Sequence, residues 1–177
     1  MNIMKKILNI ITKKYHAQQA KTNNVDLRRI WSHPLYFIAS GFGAGFLPAP
    51  GTFGTLVGVF IYVLIHTQSL PIYLGIVLFL NVIGVFLCDK MNKDFGTDDH
   101  PAAAWDEVAA FPIVMIAVPF TWYFIVLGFI LFRFFDILKP EPIGWIDRHV
   151  HGGLGVMLDD IVAALMCLAI LQIIHHF

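Results

Sequence analysis

Residues 34–88 have the sequence PLYFIASGFGAGFLPAPGTFGTLVGVFIYVLIHTQSLPIYLGIVLFLNVIGVFLC, which contains no Asp, Glu, Lys or Arg in 55 positions. A second uncharged stretch covers residues 108–132, a further 25 positions. A helix rises about 1.5 Å per residue, so about 20 apolar residues cross the hydrocarbon core of a bilayer. These two stretches therefore predict an all-α, polytopic helical membrane protein.

The composition of the whole chain supports this prediction. Of 177 residues, 58% are hydrophobic and 14% charged, with a net charge of zero and a mean hydropathy of +0.72. Soluble domains are about half apolar and about a quarter charged. The composition therefore excludes a disordered chain, a nucleic-acid binder with a basic face and an ordinary soluble domain.

A Gly/Pro-rich segment interrupts the first apolar stretch. Residues 35–51 contain four glycines and two prolines among 17 positions. Irregular backbone at membrane depth is tolerated only against protein or a water-filled cavity. We therefore expect a re-entrant segment or loop that packs on the protein.

The remaining apolar segments predict about four spans. Pro119 is expected to kink or split the third one, so that it dips and returns or crosses the membrane twice. The four segments are residues 52–66, 70–88, 108–132 and a last helix from about 154 to His175.

The first 30 residues differ from the rest in charge. They carry seven Lys or Arg residues and one acidic residue, with isoleucines at helical spacing. This pattern predicts a basic amphipathic N-terminal helix, residues 1–30, that lies on an anionic membrane surface. Residues 31–177 then form a single membrane-embedded domain. The excess of positive charge places this end of the chain in the cytoplasm.

Acidic residues concentrate in a few places. Six of them fall within residues 89–107, and Asp159-Asp160 lies inside the last apolar segment. Carboxylates in a membrane segment are costly and normally functional, although the last helix could instead begin after Asp160, with the pair as its cap. Oxygen ligands gathered at a membrane surface suit Mg²⁺. The candidate metal ligands are Asp98, Asp99, Asp106, Glu107, Asp159 and Asp160.

A helix is expected to begin at Asp99-His100-Pro101, because proline is favoured in the first turn of a helix. If that helix includes both residues, Asp99 and Asp106 are seven positions apart and share a face.

Candidate phosphate ligands lie near these acids. Arg133, Asp136 and Lys139 are spaced along one side of a helix, and Arg133 could alternatively serve only as the ion-pair partner of Asp136. The turn from Gly51 to Thr55 is either an anion site at a helix N-terminus or a glycine contact between two helices. The candidate phosphate ligands are Arg133, Lys139, Arg148, His151, Thr52 and Thr55.

Four stretches, in this order, resemble the phosphatidylglycerophosphatase A family. They are GFGAGFLPAPGTFGT at 41–55, DDHPAAAWDE at 98–107, FRFFDILKPEPI at 132–143 and DRHVHGGLGVMLDD at 147–160. Members of the family often have Gly where this chain has Pro101. The resemblance implies a Mg²⁺-dependent phosphatase that converts phosphatidylglycerophosphate, an anionic phospholipid, into phosphatidylglycerol and phosphate. It also implies the bacterial inner (cytoplasmic) membrane, with the active site facing the cytoplasm.

For this chemistry the expected catalytic residues are Asp99, Asp136 and Asp159. Asp136 could orient Lys139, act as a general base or serve as a nucleophile; the absence of an Asp-x-Asp pattern favours attack by water. The alternative from another class is a transporter or ion-pathway protein that uses intramembrane carboxylates. The clustering of the acids and the absence of repeated halves argue against it.

Overall fold

The computed structural model describes residues 24–177, with side chains from residue 28 onward. Within these residues the chain is helical and contains no strand. The amphipathic N-terminal helix predicted for residues 1–30 lies mostly outside the described residues. The helices are α1 (Asn24–Ser32), α2 (Pro34–Ala39), a 3-10 turn (Ala44–Phe46), α3 (Pro50–Ile65), α4 (Leu70–Phe95), α5 (Trp105–Val114), α6 (Trp122–Leu138), α7 (Ile143–His149) and α8 (Gly152–His176).

The short helix α5 forms the centre of the bundle. It packs against α3, α4, α6 and α8, and its residues are buried except for Asp106 and Glu107, which are partly exposed. Two polar side chains of α4 join it to α5. Asn81 donates to the carbonyl of Ala109 at 3.0 Å, and the Tyr73 hydroxyl donates to the carbonyl of Pro112 at 2.6 Å. Because α5 is enclosed on all sides, it can hold polar groups that no helix facing lipid could hold.

Glycines bring α3 close to α5. A Cβ atom at Gly54 would lie 2.9 Å from the carbonyl oxygen of Ala104, and one at Gly58 would lie 2.8 Å from the Cβ of Phe111. Only glycine permits this approach. Of the two interpretations of the Gly51–Thr55 turn, the structure therefore contains the glycine contact between two helices.

The bundle has two distinct ends. The first, called the acidic end, holds α1, the end of α4, the loop 97–104, the start of α5, the end of α6, the segment 139–151 with α7 and the start of α8. The second, called the opposite end, holds the turn 66–69, the loop 115–121 and the C-terminus. There the ring of Phe120 stacks on His66 at 3.7 Å, and Gln172 donates to the carbonyl of Ile116 at 2.8 Å. Thus α3, α4, α6 and α8 each connect the two ends.

The outer surface of the bundle is apolar. Leu70–Phe95 and Gly152–His176 are each long and apolar enough to cross a membrane, and Pro50–Ile65 is a shorter apolar helix. Large apolar side chains on the helices are exposed, for example Phe60 and Phe86 at 61% and 69%. Soluble proteins rarely expose apolar patches of this extent. The prediction of an all-α protein with helices suited to a membrane is confirmed; the number of spans stays a prediction.

Two expectations about helix boundaries are corrected by the structure. No helix begins at Asp99: residues 97–104 form a loop, and α5 begins at Trp105. The loop is fixed by Asn92, whose side chain donates to the carbonyl of Asp98 at 2.6 Å and accepts from the N–H of His100 at 2.9 Å. The last helix begins at Gly152, so Asp159-Asp160 lies inside it, and the interpretation of this pair as a cap is wrong.

Candidate active site

Three carboxylates meet at the acidic end of the bundle. Asp106 and Glu107 come from the first turn of α5, and Asp160 comes from α8. One oxygen atom of each residue lies within 4.8 Å of one oxygen of the other two. We call these residues the carboxylate cluster. Their convergence follows from the packing of α5 against α8, which sequence spacing alone does not reveal.

The cluster has the properties of a cation site. Each of its residues has one buried oxygen without a hydrogen-bond partner: Oδ1 of Asp106, Oε2 of Glu107 and Oδ2 of Asp160. Buried charges of one sign are tolerated only when a counter-charge or a proton compensates them. A site built only of oxygen atoms suits Mg²⁺ better than a softer metal. The residues present therefore fit the magnesium ion that the sequence analysis predicts.

A cavity of about 120 Å³ adjoins the cluster. It is bounded by the loop 98–103, the start of α5, the end of α6, the segment 147–152 and the start of α8. Most of the charged side chains in its walls are acidic, and Lys139 lies among them as a cationic side chain. The charged and histidine residues that line it are Asp98, Asp99, His100, Asp106, Glu107, Asp136, Lys139, Asp147, His151, Asp159 and Asp160.

Lys139 lies at the end of α6 and turns the chain. Its backbone is left-handed, with a φ of 44°, and Pro140 prevents the helix from continuing. Its Nζ atom donates to the carboxylates of Asp147 and Asp159. Burial opposes the charge on this lysine, but the two carboxylates outweigh that effect and raise its pKa above the ordinary value. The cavity therefore contains an ammonium group whose charged form is favoured by its two carboxylate partners.

Arg133 lies one turn before the end of α6 and has a different environment. Its Nη1 atom is 2.9 Å from Oδ2 of Asp136 and 3.6 Å from Oε1 of Glu107. The same atom donates to Oγ1 of Thr55 at 3.5 Å. Arg133 is not among the residues that line the cavity. The ion pair of Arg133 with Asp136, one of the two interpretations of this spacing, is present.

The structure brings many of the predicted residues to one cavity, and their roles remain predictions. Asp98 and Asp99 lie on its loop and are exposed, whereas Asp159 is buried and faces Lys139. Of the predicted phosphate ligands, Lys139 and His151 line the cavity. Thr55 is buried and donates to the carbonyl of Gly51 at 2.7 Å.

Four of the six predicted phosphate ligands are not among the residues that line the cavity. Besides Arg133 and Thr55, these are Thr52, in the first turn of α3, and Arg148, which pairs with Glu141 at 2.5 Å on the surface.

Two contributors were absent from the predicted site. Asp147 binds Lys139, and Asn92 holds the loop that carries Asp98 and Asp99. Asp147 follows Lys139 by eight residues, but the turn at Pro140 removes any helical register between them. For Asn92 the available signal was its place near the end of α4, just before a run of acidic residues.

Comparison with known proteins matches this chain to a protein family. The family model described as phosphatidylglycerophosphatase A matches residues 37–175. A protein of that name from Escherichia coli (strain K12) is 41% identical over 147 residues, which cover 82% of this chain and 86% of the relative. Another of that name from Haemophilus influenzae is 38% identical over 160 residues, covering 88% of this chain and 98% of the relative.

A third relative has a different name. This protein from Bacteroides thetaiotaomicron carries the provisional name phosphatidylinositol-3-phosphatase; it is 34% identical over 135 residues, covering 71% of this chain and 84% of the relative. No solved structure matches the chain.

Proposed function

This chain belongs to the phosphatidylglycerophosphatase A family, and on that premise we propose that it hydrolyses phosphatidylglycerophosphate to phosphatidylglycerol and inorganic phosphate. The observation that carries the proposal is a single cavity that is lined both by Lys139 and by the cluster of three carboxylates. A phosphate monoester needs a cationic group for its oxygens, and a metal-assisted hydrolysis needs oxygen ligands beside it. Both are present within one small space at the end of the bundle.

We propose that Asp106, Glu107 and Asp160 hold Mg²⁺. When bound, Mg²⁺ supplies a Lewis acid for the phosphate oxygens and a divalent positive charge among the carboxylates. The acidic side chains of the site outnumber the cationic ones, which supports the need for such a charge. Lys139 and Arg133 are the cationic side chains in ion-pair contact with its acids, which include Asp136, Asp147 and Asp159 as well as the cluster.

The remaining residues bind the substrate and move protons. The Nζ group of Lys139 neutralises charge on the phosphate oxygens, and His151, exposed at the cavity, is a second donor. Asp147 and Asp159 hold the lysine in place. A water molecule attacks phosphorus and gives its proton to a carboxylate of the cavity, for which Asp99, Asp136 and Asp159 are the candidates. The bond between phosphorus and the glycerol oxygen breaks, the leaving oxygen takes the proton back from the carboxylate, and phosphatidylglycerol leaves with its free hydroxyl group.

The arrangement in the membrane follows from the two ends of the bundle. We propose that α3, α4, α6 and α8 are the four spans of a single domain, residues 31–177, and that α5 is enclosed between them. Within residues 28–177, all Lys and Arg residues lie at the acidic end: Arg28, Arg29, Lys90, Lys93, Arg133, Lys139 and Arg148. Because Lys and Arg favour the cytoplasmic side, the active site faces the cytoplasm of a bacterial inner membrane.

A transporter or ion pathway is not favoured. Such a function needs polar groups along a route through the membrane. In residues 28–177 the charged groups instead gather at one end, and the cavity at the opposite end has no charged residue in its wall.

Phosphate release from purified protein tests the function. The protein in neutral detergent is treated with a chelator and assayed on phosphatidylglycerophosphate with and without added Mg²⁺. Phosphatidylinositol 3-phosphate at the same surface concentration serves as the comparison substrate. We expect Mg²⁺-dependent release from phosphatidylglycerophosphate and a lower rate on the inositol lipid.

Three results would contradict the proposal in whole or in part. Folded protein that releases no phosphate from either lipid would remove the phosphatase function. A higher kcat/KM on phosphatidylinositol 3-phosphate than on phosphatidylglycerophosphate would indicate that the substrate is the inositol lipid for which the Bacteroides relative is named. Release that is unaffected by chelation would reject the metal while leaving the reaction in place.

A further inference from the structure

Arg133 contacts the carboxylate cluster through Glu107 but is not among the residues that line the cavity. Only 15% of its side chain is exposed, and it contacts Glu107 and Asp136 through the same Nη1 atom. Lys139, by comparison, lines the cavity directly. A guanidinium group that binds substrate phosphate would have to present its N–H groups to the cavity. In this structure the contacts of Nη1 are with the protein itself.

Helix α3 closes the other side of this arginine. A Cβ atom at Gly51 would lie 2.4 Å from Oε1 of Glu107 and 2.6 Å from Nη2 of Arg133. Both distances are far below a van der Waals contact, so the first turn of α3 rests directly on the pair. Thr55, one turn later, donates to the carbonyl of Gly51 at 2.7 Å and accepts from Arg133.

Helix α3 also lies close to the second carboxylate oxygen of Glu107 and restricts its position. A Cβ atom at Gly54 would lie 3.2 Å from Oε2 of Glu107, the oxygen that has no hydrogen-bond partner. The Glu107 carboxylate is therefore confined by α3 on one side and by Arg133 on another. Its position relative to Asp106 and Asp160 depends on both.

We infer that Arg133, supported by Gly51 and Thr55, is a positioning residue that fixes Glu107 and Asp136 and does not bind substrate phosphate. The inference rests on the proposed function of the same site. The planar guanidinium places Nη1 against Glu107 and Asp136 while Nη2 lies against the first turn of α3. The single nitrogen of a lysine ammonium group cannot occupy both positions. Residues that orient metal ligands change metal affinity by about 10- to 100-fold when they are mutated.

The test measures metal binding without lipid. Mn²⁺ serves as a spectroscopic probe, and its free concentration is followed by electron paramagnetic resonance during titration of the purified protein. The variants are Arg133→Lys and Gly51→Ala, with Gly75→Ala as the matched control, since a Cβ atom at Gly75 on α4 meets nothing within 4 Å. A third variant, Thr55→Val, removes only the oxygen that accepts from Arg133.

We expect Arg133→Lys and Gly51→Ala to weaken Mn²⁺ binding by about 10- to 100-fold. Thr55→Val should weaken it less, and Gly75→Ala should match the wild type. In assays saturated with metal, the KM for lipid and the inhibition constant of inorganic phosphate should not change. If Arg133→Lys fails to fold, as judged by circular dichroism and gel filtration, Gly51→Ala and Thr55→Val carry the test.

Unchanged Mn²⁺ affinity together with a raised KM and weaker inhibition by inorganic phosphate would overturn the inference and make Arg133 a phosphate ligand. Equal Mn²⁺ affinity in Gly51→Ala and Gly75→Ala would remove the role of α3. Failure of the proposed function is separate, because it would appear as wild-type protein that binds Mn²⁺ but releases no phosphate.

Discussion

The two ends of the helical bundle differ in the groups that they bring together. In residues 28–177, every Asp, Glu, Lys and Arg belongs to the acidic end. The opposite end carries uncharged polar residues and histidines, such as Gln68, His66 and His175. Four helices connect the two ends through a core that is largely apolar. On the proposed function, the same scaffold is chemically active at one end and structural at the other.

The two ends also differ in the size of their cavities, but the larger cavity is not at the charged end. The opposite end has the larger cavity, about 280 Å³ against about 120 Å³, and rings and aliphatic side chains form most of its wall. A phosphate monoester carries two negative charges when ionised and cannot be bound there without a counter-charge. The smaller cavity is the better candidate because carboxylates and a lysine converge on it.

The carboxylate cluster should be the most sensitive part of the acidic end. Asp160→Asn keeps the shape of the side chain and removes one charge from the proposed Mg²⁺ site. Metal ions supply several kcal/mol of transition-state stabilisation, so we expect kcat to fall by about 1,000-fold. The wild type should also be stabilised by about 2.7 kcal/mol when Mg²⁺ is present at 100 times its Kd, and the variant should lose this gain.

Phosphate release and thermal unfolding, each with and without Mg²⁺, check this prediction. Asp98→Asn is the matched control, because Asp98 lines the cavity but lies on the exposed loop outside the cluster. Near-normal turnover of Asp160→Asn, with its Mg²⁺ stabilisation intact, would reject the cluster as the metal site.

Lys139 should affect the substrate and leave the metal bound. Replacing it with methionine removes the ammonium group that lines the cavity, so kcat/KM should fall by about 100-fold, as for other groups that stabilise charge in the transition state. Mg²⁺ should bind at least as tightly, because a positive charge near the carboxylates has been removed. Stability should fall to some extent, since buried Asp159 loses its partner.

Kinetics at saturating Mg²⁺ and a Mg²⁺ titration monitored by the unfolding temperature separate these two effects. Arg148→Met is the control, because Arg148 is exposed and pairs with Glu141 on the surface. A Lys139→Met variant that has lost Mg²⁺ binding but kept its KM would assign the lysine to the metal site instead.

The difference between the ends was partly predictable from the sequence. The long apolar runs of α4 and α8, the break around Pro119 and the placement of Asp159-Asp160 inside a helix all follow from local pattern. The pairing of Arg133 with Asp136 follows from their spacing in a helix. These features depend on periodicity and charge, which neighbouring residues determine.

The remaining features depend on contacts between distant segments. The loop 97–104 replaces the expected helix because Asn92 of α4 takes the hydrogen bonds of Asp98 and His100. The burial of Thr55 beside Arg133 depends on which face of α3 the glycines turn toward α5. Neither contact leaves a periodic signal, so neither could be predicted from residue spacing.

The smallest expected effect is at the opposite end. Tyr73→Phe removes the hydroxyl that donates to the carbonyl of Pro112, a hydrogen bond of 2.6 Å between α4 and the enclosed helix α5. Such a bond within a membrane protein contributes on average about 0.6 kcal/mol and at most about 1.7 kcal/mol. We therefore expect a slightly lower unfolding temperature, with kcat, KM and Mg²⁺ affinity unchanged, because the substitution alters no group at the acidic end. Unfolding and phosphate release measured on the same preparation check this, with Gly75→Ala as a control that should change neither.

A fall in turnover larger than the fall in stability explains would mean that α5 transmits changes from the opposite end to Asp106 and Glu107. In that case the two ends would be coupled through the enclosed helix, and the division between an active end and a structural end would have to be given up.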